Sequence, residues 1–141
     1  MSIILLVVLS GCWGPKTDAE MQRHYESKKA SFSALVEGTA CHIERDRILW
    51  RLELIKSDAA CLELLDELGA DGVGIDRLSE GVIVYPRDGH YSSHRKAYLF
   101  SEKELTPLYS SFDTPMNDLK PYEQRFKKID EKWYITYEYV N

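Results

Sequence analysis

At Asp71 the spacing of apolar residues changes from the helical to the alternating kind, and this one switch limits the chain to helices first and a sheet afterwards. Ahead of it, Thr17 and Glu20 have the spacing of a capping box. Met21, Tyr25, Phe32, Leu35 and Val36 then fall on one helical stripe that Gly38 ends, which predicts a helix over 18–37. A second helix is predicted from a cap at Ser57 or Asp58 through Leu68, with Cys61, Leu64, Leu65 and Leu68 on its apolar stripe and Gly69 as its stop. The stretch "HIERDRILWRLELIK" between them fits both strand alternation and a helical stripe of Ile48, Leu52 and Ile55. After Asp71 come the short strand-like runs "GVGID", "GVIVYP", "KAYLF", "YEQRFKKI" and "WYITYEYV", separated by turn-prone segments. The expected fold is α+β, two helices packed on an antiparallel sheet of about four to five strands. In the last strand, Trp133, Ile135, Tyr137 and Tyr139 share the face assigned to the helices, and Tyr134, Thr136, Glu138 and Val140 share the other.

The amino terminus carries a different signal. Ile3 to Leu9 are seven strongly apolar residues, whereas a helix needs ~20 to span a bilayer. The run matches the apolar middle of a secretory signal peptide, with Ser10 and Gly11 as the small residues behind it. Leu9-Ser10-Gly11-Cys12 then resembles the lipobox of bacterial lipoproteins, although Met1-Ser2 lacks the positive charge such peptides usually begin with. That resemblance implies a diacylglycerol on the Cys12 sulfur, removal of residues 1–11, a lipidated tether over 12–16 and a single domain over 17–141. It also implies a lipid anchor in the cell envelope. Trp13 stands where enterobacterial lipoproteins kept in the inner membrane carry Asp, which points to the periplasmic face of the outer membrane.

Lipidation of Cys12 would leave Cys41 and Cys61 as an even pair in a compartment where disulfides persist. They are read either as a bridge, stabilising by roughly 3 kcal/mol in the chain-entropy model, or as two buried thiols acting as small hydrophobes. The net charge of −5 gives no basic patch for nucleic acid, so none is expected as a partner.

Familiar catalytic and metal patterns fail one by one. His90 and His94 form H-x-x-x-H in or beside a loop, with no further ligand at a clear spacing, and no metal site is expected. Cys41 and His42 are adjacent and point apart on a strand, and Ser92, Ser93 and His94 lack the G-x-S-x-G elbow. The glycines of "GADGVG" follow a helix, so they read as a helix stop and a turn and not as a phosphate loop. Glu44 with Asp46, and Asp113 with Asp118, read as solvated surface charge. No catalytic residue, metal or cofactor is therefore assigned.

The second half resembles a loose set of small uncharacterised bacterial lipoproteins through Gly81-Val82-Ile83-Val84, Lys96 to Ser101, Ser111-Phe112-Asp113 and Ile129 to Tyr134. Two helices before a sheet with a Trp-bearing last strand also resemble the cystatin or nuclear-transport-factor-2 type of cone. That likeness implies a helix across a curved sheet and no particular activity. The leading functional expectation is a non-catalytic protein-interaction module held at the envelope by lipid, an immunity-type protein being one version. Its contact surface is expected at an outer-face patch of Tyr91, Tyr98 and Tyr134, since exposed tyrosines anchor protein partners. One alternative is a small-ligand-binding or catalytic cone with its pocket between the first helix and the sheet, and another is a structural envelope component. Changing Cys12→Ala is expected to release the protein from the membrane fraction in soluble or unprocessed form. A variant that sediments with membranes as the wild type does would show that Cys12 is not the anchor.

Overall fold

The computed structural model describes residues 16–55, 58–87, 90–91, 94–113 and 118–139. Cys12 and its lipobox lie outside the described residues.

The capping box forms: the Thr17 hydroxyl accepts from the Glu20 N–H at 3.2 Å and the Glu20 carboxylate accepts from the Thr17 N–H at 3.4 Å. The expected single helix is two, α1 (Asp18–Ser27) and α2 (Lys29–Glu37). Ser27 Oγ donates to the His24 carbonyl at 2.8 Å, and the Lys28 N–H is shared between the carbonyls of His24 and Tyr25. Such back-bonding competes with the helical ladder and turns the chain.

The ambiguous segment resolves into both of its candidates in miniature, a two-residue strand β1 (Leu49–Trp50) followed by a single helical turn α3 (Arg51–Leu54). Leu54 is buried, whereas Leu52 and Ile55 are exposed, so the Ile48–Leu52–Ile55 stripe does not form. Helix α4 (Ala59–Leu68) has Asp58 as its cap, accepting from the Cys61 N–H, and ends at Gly69 with φ +62°.

All five expected strands are present, as β2 (Ala70–Ile75), β3 (Val82–Pro86), β5 (His94–Phe100), β6 (Gln124–Lys128) and β7 (Trp133–Tyr139). The sheet runs in the order β1-β2-β3-β5-β7-β6, antiparallel throughout, and a two-residue β4 (His90–Tyr91) pairs with β5 beside it. The long β5–β7 pairing, from His94 opposite Tyr139 to Phe100 opposite Trp133, fixes the register of the whole. Beyond β6 the chain segment at Pro107 to Tyr109 exchanges backbone hydrogen bonds with Phe126, so that this sheet edge is covered.

Helices α1, α2 and α4 cover one face. Met21, Tyr25, Phe32, Leu35, Cys61 and Leu65 pack against Val73, Val84, Tyr98, Trp133, Ile135 and Tyr137, and the Phe32 ring lies edge-on to Tyr98 and Trp133 at 4.9 and 5.1 Å. The Cys41–Cys61 disulfide ties the segment after α2 to α4. At the rim, Tyr25 Oη donates to Asp130, whose carboxyl is held down to about 2 by the Lys29 ammonium and this phenol.

A buried ionic lock fastens the start of α1. Lys96 Nζ, on the helix face of β5, donates to Asp18 Oδ1 (2.9 Å), the Lys16 carbonyl (3.0 Å) and Asp113 Oδ1 (3.2 Å). Asp18 also accepts from the Phe112 N–H at 2.6 Å, and the Asp18 N–H donates to Asp113 at 2.8 Å. That backbone bond, with the Lys96 charge, holds the Asp113 carboxyl below its usual range. Lys96 and Asp18 are each 2% exposed, so removing Lys96 leaves the buried Asp18 carboxylate with only the more distant Lys127 ammonium, at 3.5 Å, as a cationic partner. Lys96→Met is expected to lower the unfolding free energy by about 3 kcal/mol, read by chemical denaturation. Lys29→Met, which breaks the solvent-exposed Lys29–Asp130 pair, should cost far less. Equal losses for the two variants would contradict this assignment.

Candidate functional site

The second face of the sheet is also covered, and its covering makes a cavity. Gly72 and Gly74 of β2 present no side chain there, and a Cβ at Gly72 would stand 2.7 Å from the Trp50 ring, so the two glycines let Ile48 and Trp50 lie flat on the strand. Trp50 in turn stacks on Tyr85 of β3 with ring centroids 5.5 Å apart and planes at 30°. Arg95 of β5 sits over the same Tyr85 ring at 5.9 Å. Further along this face Ile83, Leu99, Leu105, Phe126 and Tyr134 form a small core of their own.

Between the aromatic wall and that small core lies a polar floor. Gln124, at the start of β6, donates from Nε2 to Asp76 Oδ1 at 2.8 Å and to Glu138 Oε2 of β7 at 3.3 Å. Asp76, just past β2, accepts through its other oxygen from the N–H and hydroxyl of Ser79 at 2.8 and 2.6 Å. Strands β2 and β6 stand four places apart in the sheet order, which in a flat sheet would separate them by roughly 19 Å at ~4.8 Å per strand. A direct hydrogen bond between their diagonal corners therefore means that the sheet is coiled, with this face concave along that diagonal.

The concavity encloses about 610 Å³, lined by the Trp50 and Tyr85 wall, by the floor, by Arg95, and at its mouth by Ile48, Leu78 and Tyr122. Leu78 and Tyr122 are both exposed, and an Asp46–Arg77 ion pair at 3.5 Å stands beside them. Burial pushes the Glu138 carboxyl above its ordinary value and the nearby Asp76 charge adds to this, while the Gln124 amide and the Arg95 charge oppose it. Burial likewise raises the Tyr85 phenol, with Glu138 reinforcing the effect. Gln124 is 8% exposed, and its Oε1 has no hydrogen-bond partner within the protein. Both amide hydrogens face carboxylates, which can only accept, so the amide oxygen is left as a buried, unmatched acceptor.

The residues expected from sequence fare unevenly. Cys41 and Cys61 are bonded. The tyrosine patch does not exist: Tyr98 and Tyr134 are each 1% exposed and lie on opposite faces of the sheet. Tyr98 Oη donates to the Met21 carbonyl under α1, and Tyr134 sits beneath Leu105 among the second core. Alternation separated the two faces correctly but not solvent from interior, because both faces are covered. The side chain of Tyr91 lies outside the described residues, as does that of His90. His94 Nδ1 is paired with the Tyr137 hydroxyl at 2.9 Å. Asp46 stands at the cavity mouth, Asp113 belongs to the Lys96 lock, and Asp118 pairs with Arg125 through both guanidinium nitrogens.

The expected pocket between the first helix and the sheet is replaced by the aromatic core described above, and the cavity lies on the opposite face. Its polar residues, Asp76, Gln124 and Glu138, went unassigned from sequence. The available signal was Glu138 as the one charged residue in "WYITYEYV", on the face opposite the helices. Among the described residues no group of three His, Cys, Asp or Glu side chains is placed to hold a metal ion, and no helix is long and apolar enough to cross a membrane. Comparison with family models, with curated proteins and with solved structures gives no match.

Proposed function

We propose that the protein is a lipid-anchored component of the cell envelope that works as a non-catalytic binding module, with the concave-face cavity as its binding site. The observation that carries this reading is a cavity of about 610 Å³ walled by Trp50 and Tyr85, with the polar side chains of Asp76, Gln124 and Glu138 converging on it. A cavity of that size is within the usual range for ligand sites, and apolar walls with a few convergent polar groups are their usual construction. The envelope location is supported by the resemblance of Leu9-Ser10-Gly11-Cys12 to a lipobox and by the Cys41–Cys61 disulfide, which suits an oxidising compartment. An immunity-type role is one form of this reading, with the partner placing a side chain in the cavity. The catalytic alternative draws support from Glu138, a carboxylate kept easier to protonate by its burial beside Asp76.

Chemical-shift perturbation separates these readings. The mature protein is titrated with small amines, sugars, carboxylates and alcohols. At least one class is expected to shift the resonances of Asp76, Gln124 and Glu138 saturably, and Gln124→Leu should abolish the effect. Shifts confined to other regions, or none with any class, would overturn the assignment of the site, and conversion of a bound compound to product would overturn the non-catalytic reading.

A further inference from the structure

Resting on the binding reading above, we propose that the cavity is a glycan site: it takes a neutral sugar ring, a second linked ring lies in the adjoining recess, and the exposed Tyr122 ring between them is the apolar platform. The lining is charge-balanced, since it holds the acids Asp46, Asp76 and Glu138 and the bases Arg47, Arg77 and Arg95. It therefore offers no net charge to attract an ion of either sign. A purely apolar guest is disfavoured as well. It would take water from Glu138 and Arg95, which are half-buried and stand opposite one another in the β5–β7 register, without replacing the lost hydrogen bonds. What suits the lining is a neutral guest that both donates and accepts. A hydroxyl does both through one atom, so a row of hydroxyls can donate to a carboxylate and accept from the guanidinium next to it.

Tyr122 supplies an independent observation. It is 61% exposed, and its side chain makes no hydrogen bond or ring contact among the described residues. Its backbone is left-handed, with φ +64°, a costly conformation for a bulky residue, and its N–H is held by the Tyr139 carbonyl at 2.7 Å. Asp46, which also lines the cavity, is left-handed too, with φ +62°. Backbone strain of this kind gathers at ligand clamps. Here it holds an aromatic ring in water between two hollows, because Leu78, Tyr122 and Gln124 border both the cavity and a recess of about 430 Å³ that reaches Leu105 and Phe126. The two acids of that recess, Glu104 and Glu123, are in ion pairs with Lys128 and Arg125, so it carries no unbalanced charge either. A sugar ring has an apolar C–H face that lies flat on an aromatic ring while its hydroxyls point outward. A small amide or a simple alcohol has no such face.

The test is a chemical-shift titration of the full chain in a detergent without a sugar headgroup. The probes are the disaccharides cellobiose, maltose and diacetylchitobiose, with glucose and N-acetylglucosamine as their single rings. The controls are n-butylammonium, butyrate, 1-pentanol and N-acetylglycine methylamide. At least one disaccharide is expected to shift the resonances of Tyr122, Gln124 and Glu138 saturably, and to bind about tenfold tighter than its single ring and than every control. Tyr122→Gly removes an exposed ring and relieves the left-handed backbone, so the variant should fold as the wild type does and lose about tenfold of the disaccharide affinity. Should it unfold, the ranking of the probes by the wild-type protein decides alone. A disaccharide that binds no tighter than its single ring, or equally well to folded Tyr122→Gly, would overturn the proposal. Preferred binding of a control, with shifts at Asp76, Gln124 and Glu138, would overturn the glycan assignment and leave the binding reading standing. No saturable shift with any probe would overturn both.

Discussion

One amide group ties together the two corners of the sheet that border the cavity. Gln124 reaches from the start of β6 to the carboxylates of Asp76 and Glu138, and so draws the end of β2 toward the far corner of the same sheet. Hydrogen bonds to a charged partner contribute about 1.5–3 kcal/mol each, and a carboxylate left buried without them costs more than the bonds supply. The bridge fastens the coiled sheet along this diagonal and holds the two acids close together. The bridge also leaves the amide oxygen buried and without a partner.

The two faces of the sheet divide the work. The helix face is built for stability: an aromatic cluster around Phe32, a disulfide between the segment after α2 and α4, and the Lys96 lock at the start of α1. The other face spends its interior on a smaller core at one end and a cavity at the other. Residues 95 and 96 show the division in two adjacent positions, since Arg95 borders the cavity and Lys96 closes the lock. The domain is thus anchored at the root of α1 through one face while the cavity opens on the other. In the proposed envelope setting, the lipidated tether joins the fold at Lys16, whose carbonyl the Lys96 ammonium holds.

Much of the fold was legible because it rests on local signals. The capping box at Thr17, the cap at Asp58, the left-handed stop at Gly69 and the alternation of the last strand each involve residues within a few positions of one another. The break at Lys28 was hidden because an apolar stripe continues across it, and only the Ser27 hydroxyl competing for a carbonyl reveals it. The site was hidden for a different reason. Asp76, Gln124 and Glu138 come from three strand ends and meet only when the sheet coils, which no spacing in the sequence encodes. Gly72 and Gly74 look like turn residues in sequence, whereas their role is to give Trp50 and Ile48 a surface to lie on. Tyr98 and Tyr134 misled because a sheet covered on both faces buries aromatics on both.

A double-mutant cycle on Asp76 and Gln124, read by denaturant unfolding of Asp76→Ala, Gln124→Ala and the double variant, tests the bridge itself. The account predicts a coupling energy of about 1–3 kcal/mol between the two positions, as for residues that share a buried hydrogen bond. Effects that add to within about 0.5 kcal/mol would mean independent sites, and would contradict the claim that this bridge holds the concave face together.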